Sequence, residues 1–240
     1  MEYGRKGASR VLALLEALSA GAGDHLRELE TATHIPKSTI SRLLADLEAE
    51  GWLEREEKSY VPTVRLALLA SRLDDSGAMV KWVSPLMSEL AQATGKTVLF
   101  CTRHGLKGLC LHAEEPPTPV KFVAQAGMEI PLHKSATGKV LAAFAPERVR
   151  AELLAQLERD EGPLARETLS LDLEKIARHR SAFSQEEWIP HAADLSVPLF
   201  DRRGGMVGQL GLAGLAGTFS DLPQLLTLLT NAARALGDKL

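Results

Sequence analysis

Lys37, Ser38, Thr39, Ser41 and Arg42 crowd cations and hydroxyls into one short stretch. Arg42 and Lys37 suit contact with phosphate or guanine, and the three hydroxyls suit phosphates or base edges. Ser38 or Thr39 has the alternative role of capping a helix. Arg5, Lys6 and Arg10 add a short basic arm, and Lys58 and Tyr60 lie in or beside a charged turn. A second set sits far along the chain. Ala136, Thr137 and Gly138 are small residues at a helix entrance, where a ligand's acidic or carbonyl group can approach backbone N–H groups. Nearby, His133 fits either a ligand contact or a satisfied core histidine, and Trp188 fits either an aromatic wall or a packed surface position. Ser135, His133 and Asp194 supply the residue types of a hydrolytic triad. Yet the chain holds no GxSxG elbow, no HExxH, no phosphate-binding glycine loop and no histidines at metal-ligand spacing. Neither catalysis, a cofactor nor a metal is expected.

The elements that must carry these residues follow from periodicity. An apolar stripe Val11, Leu12, Leu14, Leu15, Leu18 marks a first helix from Ser9, stopped by Gly21 and Gly23. Asp24 suits the cap of a second, short helix with Leu26 and Leu29 inward. After Ile35-Pro36, Ile40, Leu43, Leu44 and Leu47 give a third helix one apolar face. Its other face is basic and hydroxylic at the start and acidic later, at Asp46, Glu48 and Glu50; Gly51 suits the left-handed residue that ends it. Runs at 52–55 and 59–62 read as a hairpin. Helix, turn, helix and hairpin is the order of a winged helix-turn-helix, a unit used for DNA binding and for protein docking. The polarity of the third helix favours DNA, since such a helix enters the major groove N-terminal end first. Acidic residues slightly outnumber basic ones over 1–75, so one such unit binds modestly and needs a second half-site.

The chain of 240 residues has room for more than one module. A hydrophobic share of 45%, a charged share of 25% and a net charge of -3 suit a soluble protein and exclude a polybasic nucleic-acid coat. The apolar stretch 11–18 is broken by Glu16, no signal peptide is legible, and the cytoplasm is the expected compartment. Cys101 and Cys110 fall in apolar runs and read as buried thiols. Helical spacing continues over 63–73 and, past Asp74-Asp75-Ser76-Gly77, over 80–93; these helices either pair subunits or pack on their own domains. From Thr94 the period shortens. Strands are expected at 97–102, 109–112, 120–124, 195–200 and 206–213, with helices from Ser135, at 146–157, 171–183 and 222–236. The fold class is therefore α+β, with residues 1–73 as the helix-turn-helix domain, 74–94 as linker and connecting helix, and 95–240 as a mixed α/β sensor domain.

Several of these stretches resemble one family. Ser9-Arg10-Val11-Leu12, Ile35-Pro36-Lys37-Ser38-Thr39, Ser41-Arg42-Leu43-Leu44 and Gly51-Trp52-Leu53 carry the likeness in the first half. Thr94-Gly95, the run PLHKSATGKVLAAF from Pro131, Glu186-Glu187 and Val197-Pro198 before a glycine-rich turn carry it in the second. Over nearly its whole length the chain resembles IclR-type regulators. The resemblance implies a winged helix-turn-helix on double-stranded operator DNA, a linker helix, and a GAF-like effector-binding domain. It implies homodimers that pair into homotetramers, a role as repressor or activator, and a small catabolic effector such as an aromatic acid or derivative. It also implies effector contacts at Asp194, Ser196, Gly211 and Ala213. Departures are informative: His34 replaces a usual glycine, the wing turn Glu57-Lys58-Ser59 lacks glycine, and Lys96 replaces a common acidic residue. Asp194 is the sharpest. A carboxylate in an apolar pocket needs a donor partner. Either the ligand supplies it, as an amine, amide, hydrazide or hydroxyl, or a neighbouring chain group does.

Overall fold

A computed structural model describes residues 7–19, 26–56, 59–70 and 76–240. Arg5, Lys6, Lys58, the expected cap Asp24, and the break at 74–75 lie outside them. The chain divides into two compact units, Met1–Gly77 and Ala78–Leu240.

In the first unit, α1 (Gly7–Ser19), α2 (Leu26–Thr33) and α3 (Lys37–Ala49) precede a hairpin of β1 (Leu53–Glu56) and β2 (Ser59–Pro62), then α4 (Val64–Ala70). Ala13, Leu14, Leu29, Ile35, Ile40, Leu44 and Leu53 are the core, the apolar stripes of three helices meeting at the foot of the hairpin. The α2–α3 turn is three residues long. Its first residue, His34, adopts φ +55°, the left-handed region that glycine enters freely and a histidine enters at some cost. The His34 N–H closes the turn on the Glu30 carbonyl at 2.8 Å. The end of α3 is a Schellman motif: Gly51 N–H bonds the Glu48 carbonyl at 2.9 Å, and Trp52 N–H bonds the Leu47 carbonyl at 2.8 Å. Trp52 therefore closes the helix, and the strand begins one residue later than its composition suggests. Below it, the Arg65 guanidinium lies 4.7 Å from the centroid of the Trp52 ring and donates to the Glu50 carbonyl.

The second unit starts in α5 (Ser76–Thr94). It continues through β3 (Thr97–His104), β4 (Lys107–Glu114), β5 (Glu129–Pro131), α6 (Ala136–Ala143), α7 (Glu147–Glu161) and α8 (Pro163–His179). Then come β6 (Ala182–Gln185), β7 (Ala192–Phe200), β8 (Met206–Leu215) and α9 (Leu222–Gly237). The strands form one antiparallel sheet in the order β5-β4-β3-β8-β7-β6. Side chains alternate between its faces. Val98, Phe100, Leu195, Val197, Leu210 and Leu212 point to one side and pack with Val83, Met87 and Leu90 of α5 and Leu229 and Leu236 of α9. Leu99, Cys101 and Ala213 join the opposite core, with α6, α7 and α8. The result is three layers, helices on both faces of the sheet.

Two expectations fail for identifiable reasons. Residues 120–124 form no strand; Val120 and Val123 are 70% and 60% exposed. Pro116, Pro117 and Pro119 precede them, and a residue without an N–H interrupts a ladder. The sheet edge is taken instead by β5. Residues 171–183 belong to a helix that begins earlier, with Pro163 in its first turn, and stops at Arg180, φ +54°. The tail of the expected helix becomes β6, paired with 193–196. The segment expected as a connecting helix also differs, because α5 from Val83 onward belongs to the core of the second unit.

One contact fixes where α6 sits. A Cβ on Gly138 would lie 2.0 Å from the Pro131 carbonyl oxygen, so only glycine lets the helix approach the end of β5. Gly138→Ala should lose about 3 kcal/mol of unfolding free energy in urea. Gly217→Ala, with nothing within 4 Å of the added methyl, should change it by less than about 0.5 kcal/mol.

Candidate ligand cavity and nucleic-acid interface

At the start of α3 the apolar positions are satisfied and the polar ones are not. Ile40 and Leu44 are buried, while Lys37, Ser38, Ser41 and Arg42 are exposed and Thr39 is half-buried. Pro36 occupies the cap position, and no side chain caps the helix. The capping alternative for Ser38 and Thr39 is not used. Lys37 pairs with Glu30 at 3.4 Å between exposed groups, an interaction too weak to hold the ammonium against a phosphate. Arg42 has no ion-pair partner among the described residues. Arg10 is half-buried on α1. Tyr60 is half-buried against the core, with Arg55 5.9 Å from its ring centroid. The helix thus presents side-chain donors beside the N–H groups of Lys37 and Ser38, with the Thr39 N–H already on the Pro36 carbonyl at 2.9 Å, an arrangement suited to phosphates and base edges.

The second site is built where α6 begins above the sheet. Ser135 sits at φ +66°, a strained position for a serine, and its hydroxyl accepts the Gly138 N–H at 3.1 Å. Asp194, on β7, lies beneath. It accepts the Ala136 N–H on Oδ1 at 3.0 Å and the Thr137 N–H on Oδ2 at 2.8 Å. The Ser184 hydroxyl, from β6, donates to Oδ1 and accepts from the Ala136 N–H at 3.1 Å. The backbone donors that the sequence offered to a ligand are held by the chain's own carboxylate. Of the two alternatives for Asp194, the neighbouring chain group is present.

Asp194 also lines a cavity of about 30 Å³ with Thr137, Trp188 and Ala213 from the expected set. Leu99, Phe122, Met128, Ile130, Glu187 and Ile189 complete most of its wall. Such a space has room for about two waters, so a ring-sized ligand enters only as the wall moves. The other expected residues stand elsewhere. Ser196 is fully buried and donates to the Gln209 Oε1 at 2.6 Å; Gly211 lies beside that pair, where a Cβ would meet Gln209 Oε1 at 2.9 Å. Ala136 and Gly138 contribute backbone rather than lining. His133 faces a separate outer groove of about 450 Å³ that shares Trp188 and Ile130 with the cavity. Burial and the neighbouring Lys134 charge hold its pKa below the ordinary histidine value, with Glu161 at 3.6 Å acting against them. Ser135 and His133 thus do not line a common space, and the triad geometry is missing. Cys101 and Cys110 face each other across β3 and β4, both buried, and burial pushes the Cys101 thiol well up.

A buried lysine holds the cavity wall. The Lys139 side chain, 13% exposed, bonds Asp172 on α8 at 3.0 Å and Glu187 at 2.7 Å. Burial opposes its charge, but the two carboxylates outweigh burial and its pKa is raised. A raised pKa means the stabilisation is complete below the unfolded value and is lost only as pH climbs through the folded one. Glu187 stands in the segment between β6 and β7, whose flanking residues Glu186 and His191 have φ +58° and +62°. Lys139→Met leaves both carboxylates unpaired and should cost about 2 kcal/mol. By denaturant titration the difference from wild type should be fully present at neutral pH and shrink only as pH climbs through the raised Lys139 pKa.

The family model of the IclR helix-turn-helix domain matches residues 7–57, and that of the C-terminal part of bacterial IclR transcriptional regulators matches residues 75–238. The glycerol operon regulatory protein of Streptomyces griseus is 29% identical over 210 residues, 83% of this chain and 80% of its own. The transcriptional regulator KdgR of Dickeya chrysanthemi is 24% identical over 239 residues, 96% of this chain and 78% of its own. Among solved structures, an IclR homologue of Microbacterium hydrocarbonoxydans complexed with 4-hydroxybenzoate superposes with a TM-score of 0.75. It is 20% identical, with 95% of this chain and 96% of that one covered.

Proposed function

The chain belongs to the IclR family of bacterial transcriptional regulators, a DNA-binding regulator and not an enzyme, and from that premise we propose how its two units divide the work. The start of α3 reads the operator. Arg42 and Lys37 contact phosphate or guanine, Ser38, Thr39 and Ser41 take phosphates or base edges, and the arm Arg5, Lys6 and Arg10 with Lys58 and Tyr60 of the wing adds backbone contacts. The single observation that carries this reading is the exposed, uncapped N-terminal face of α3, where Ser38, Ser41 and Arg42 are exposed and Lys37 is held only by a surface ion pair to Glu30.

The cavity over Asp194 is the effector site, and its occupant is a small catabolic metabolite with an aromatic body, fitted by Trp188 and Phe122. Regulation, as repressor or activator, follows if the effector binds one arrangement of the DNA-binding units better than another. The protein acts as a homodimer, two of which pair into a tetramer, so that half-sites add. Val64, Leu68 and Leu69 on α4, exposed at 72%, 64% and 57%, and Trp82 on α5 at 58%, supply apolar surface for such pairing. Among the described residues no helix is long and apolar enough to cross a membrane, and the working compartment is the cytoplasm, where the operator is.

Arg42→Ala should weaken binding to the DNA upstream of the neighbouring operon by about 5- to 100-fold in fluorescence anisotropy with competitor present. Thermal stability and oligomer size should be unchanged. Specific binding that survives intact removes α3 from the interface, and no specific binding by the wild type to any genomic fragment makes the unit a docking module.

A further inference from the structure

We propose that the cavity selects a ligand carrying a protonated amine on an apolar, ring-sized body, and that it discriminates against simple carboxylates. The inference rests on the cavity being the effector site. It narrows the aromatic acid or derivative implied by resemblance to a derivative with a cationic donor.

Asp194 does for the chain what an acid ligand would do. A carboxylate entering beside α6 would need unpaired N–H groups at the helix start. Those of Ala136 and Thr137 end on Asp194, and that of Gly138 ends on Ser135. The fourth, on Lys139, bonds the Ser135 carbonyl at 3.1 Å. A ligand carboxylate would therefore meet a fixed negative charge and no free backbone N–H in the first turn, with only the Thr137 hydroxyl left to donate.

The same residues leave acceptor capacity over. An ionised carboxylate offers about four lone-pair sites. Asp194 Oδ1 accepts from Ala136 and Ser184, while Oδ2 accepts only the Thr137 N–H. Next to it the Thr137 hydroxyl, on a residue 2% exposed and lining the cavity, has no hydrogen-bond partner. An unpaired buried hydroxyl costs free energy until something meets it. An ammonium can donate to both oxygens at once.

Charge points the same way. The lining holds two carboxylate residues, Asp194 and Glu187, and no lysine or arginine. Lys139, which reaches Glu187 of the lining, is committed to Asp172 and Glu187, and no ion pair of Asp194 is present among the described residues. Trp188 and Phe122 add two aromatic side chains to a largely aliphatic wall, and an aromatic ring attracts a cation over its face.

The test is calorimetric titration of the full-length protein with benzylamine and phenethylamine against the matched acids benzoate and phenylacetate. Wild type should bind the better amine at least about tenfold more tightly than its matched acid. Asp194→Asn keeps the shape and removes the charge, and should weaken the amine at least about tenfold. Asp194→Ala frees the Ala136 and Thr137 N–H groups and should turn the preference toward the acid. Acids bound by wild type as tightly as the amines overturn the proposal. So does an Asp194→Asn variant, folded by circular dichroism, with unchanged amine affinity, or a wild type that binds neither amine. Operator binding measured on the same preparations without ligand separates the two readings: if it is intact while the amines fail, the ligand class is wrong and the regulator stands.

Discussion

A helix that starts against a sheet must satisfy its first N–H groups without help from solvent. At the start of α6 the solution is Asp194, rising from near the start of β7 and bonded on Oδ1 also by Ser184 of β6. This interaction ties together the helix, two strands and the floor of the cavity. It is also electrostatically sensible, because the positive end of the helix dipole faces the carboxylate. Gly138 permits the close approach to β5 that brings the amides within reach, and Lys139, one residue on, carries the constraint out to α8 and to Glu187. The cavity is thus shaped by polar groups that first serve the fold.

That economy bears on regulation. An effector changes the protein only through affinity that differs between two arrangements. Here the cavity is too small for a ring-sized molecule unless its wall moves, and Glu187, Trp188 and Ile189 form a part of that wall that lies between β6 and β7 rather than in the sheet. On the proposed effector-site reading, shifting that part works against the Lys139–Glu187 ion pair and the packing of Trp188. Trp188 lines both the inner cavity and the outer groove, so its displacement is a structural change that a ligand can select.

Much of this was legible in the chain, unevenly. The face of α3 follows from Ile40, Leu43, Leu44 and Leu47 at helical spacing, and its end from Gly51, because both signals are local. The small residues at 136–138 marked the approach to α6, and Asp194 stood out as a departure from the pattern of the family the chain resembles. What sequence reasoning missed depends on partners far away along the chain. Ser184 directly followed a helix expected to run to residue 183; only pairing with 193–196 makes it a strand and aims its hydroxyl at Asp194. Ser196 looked like a ligand contact, yet its partner is Gln209 across the β7–β8 ladder, and no spacing announces that. Because β7 is buried on both faces, alternation between its two sides is muted, which hides the division between core and site.

The central claim, that the chain's own carboxylate occupies the start of α6, is tested most directly by amide hydrogen exchange at Ala136 and Thr137 in the effector-free protein. The account predicts that both amides are protected to the level of the α6 interior, and that Asp194→Ala releases these two while Leu141 and Ala142 stay protected. Exchange of both at the rate of an open loop in the wild type would contradict it.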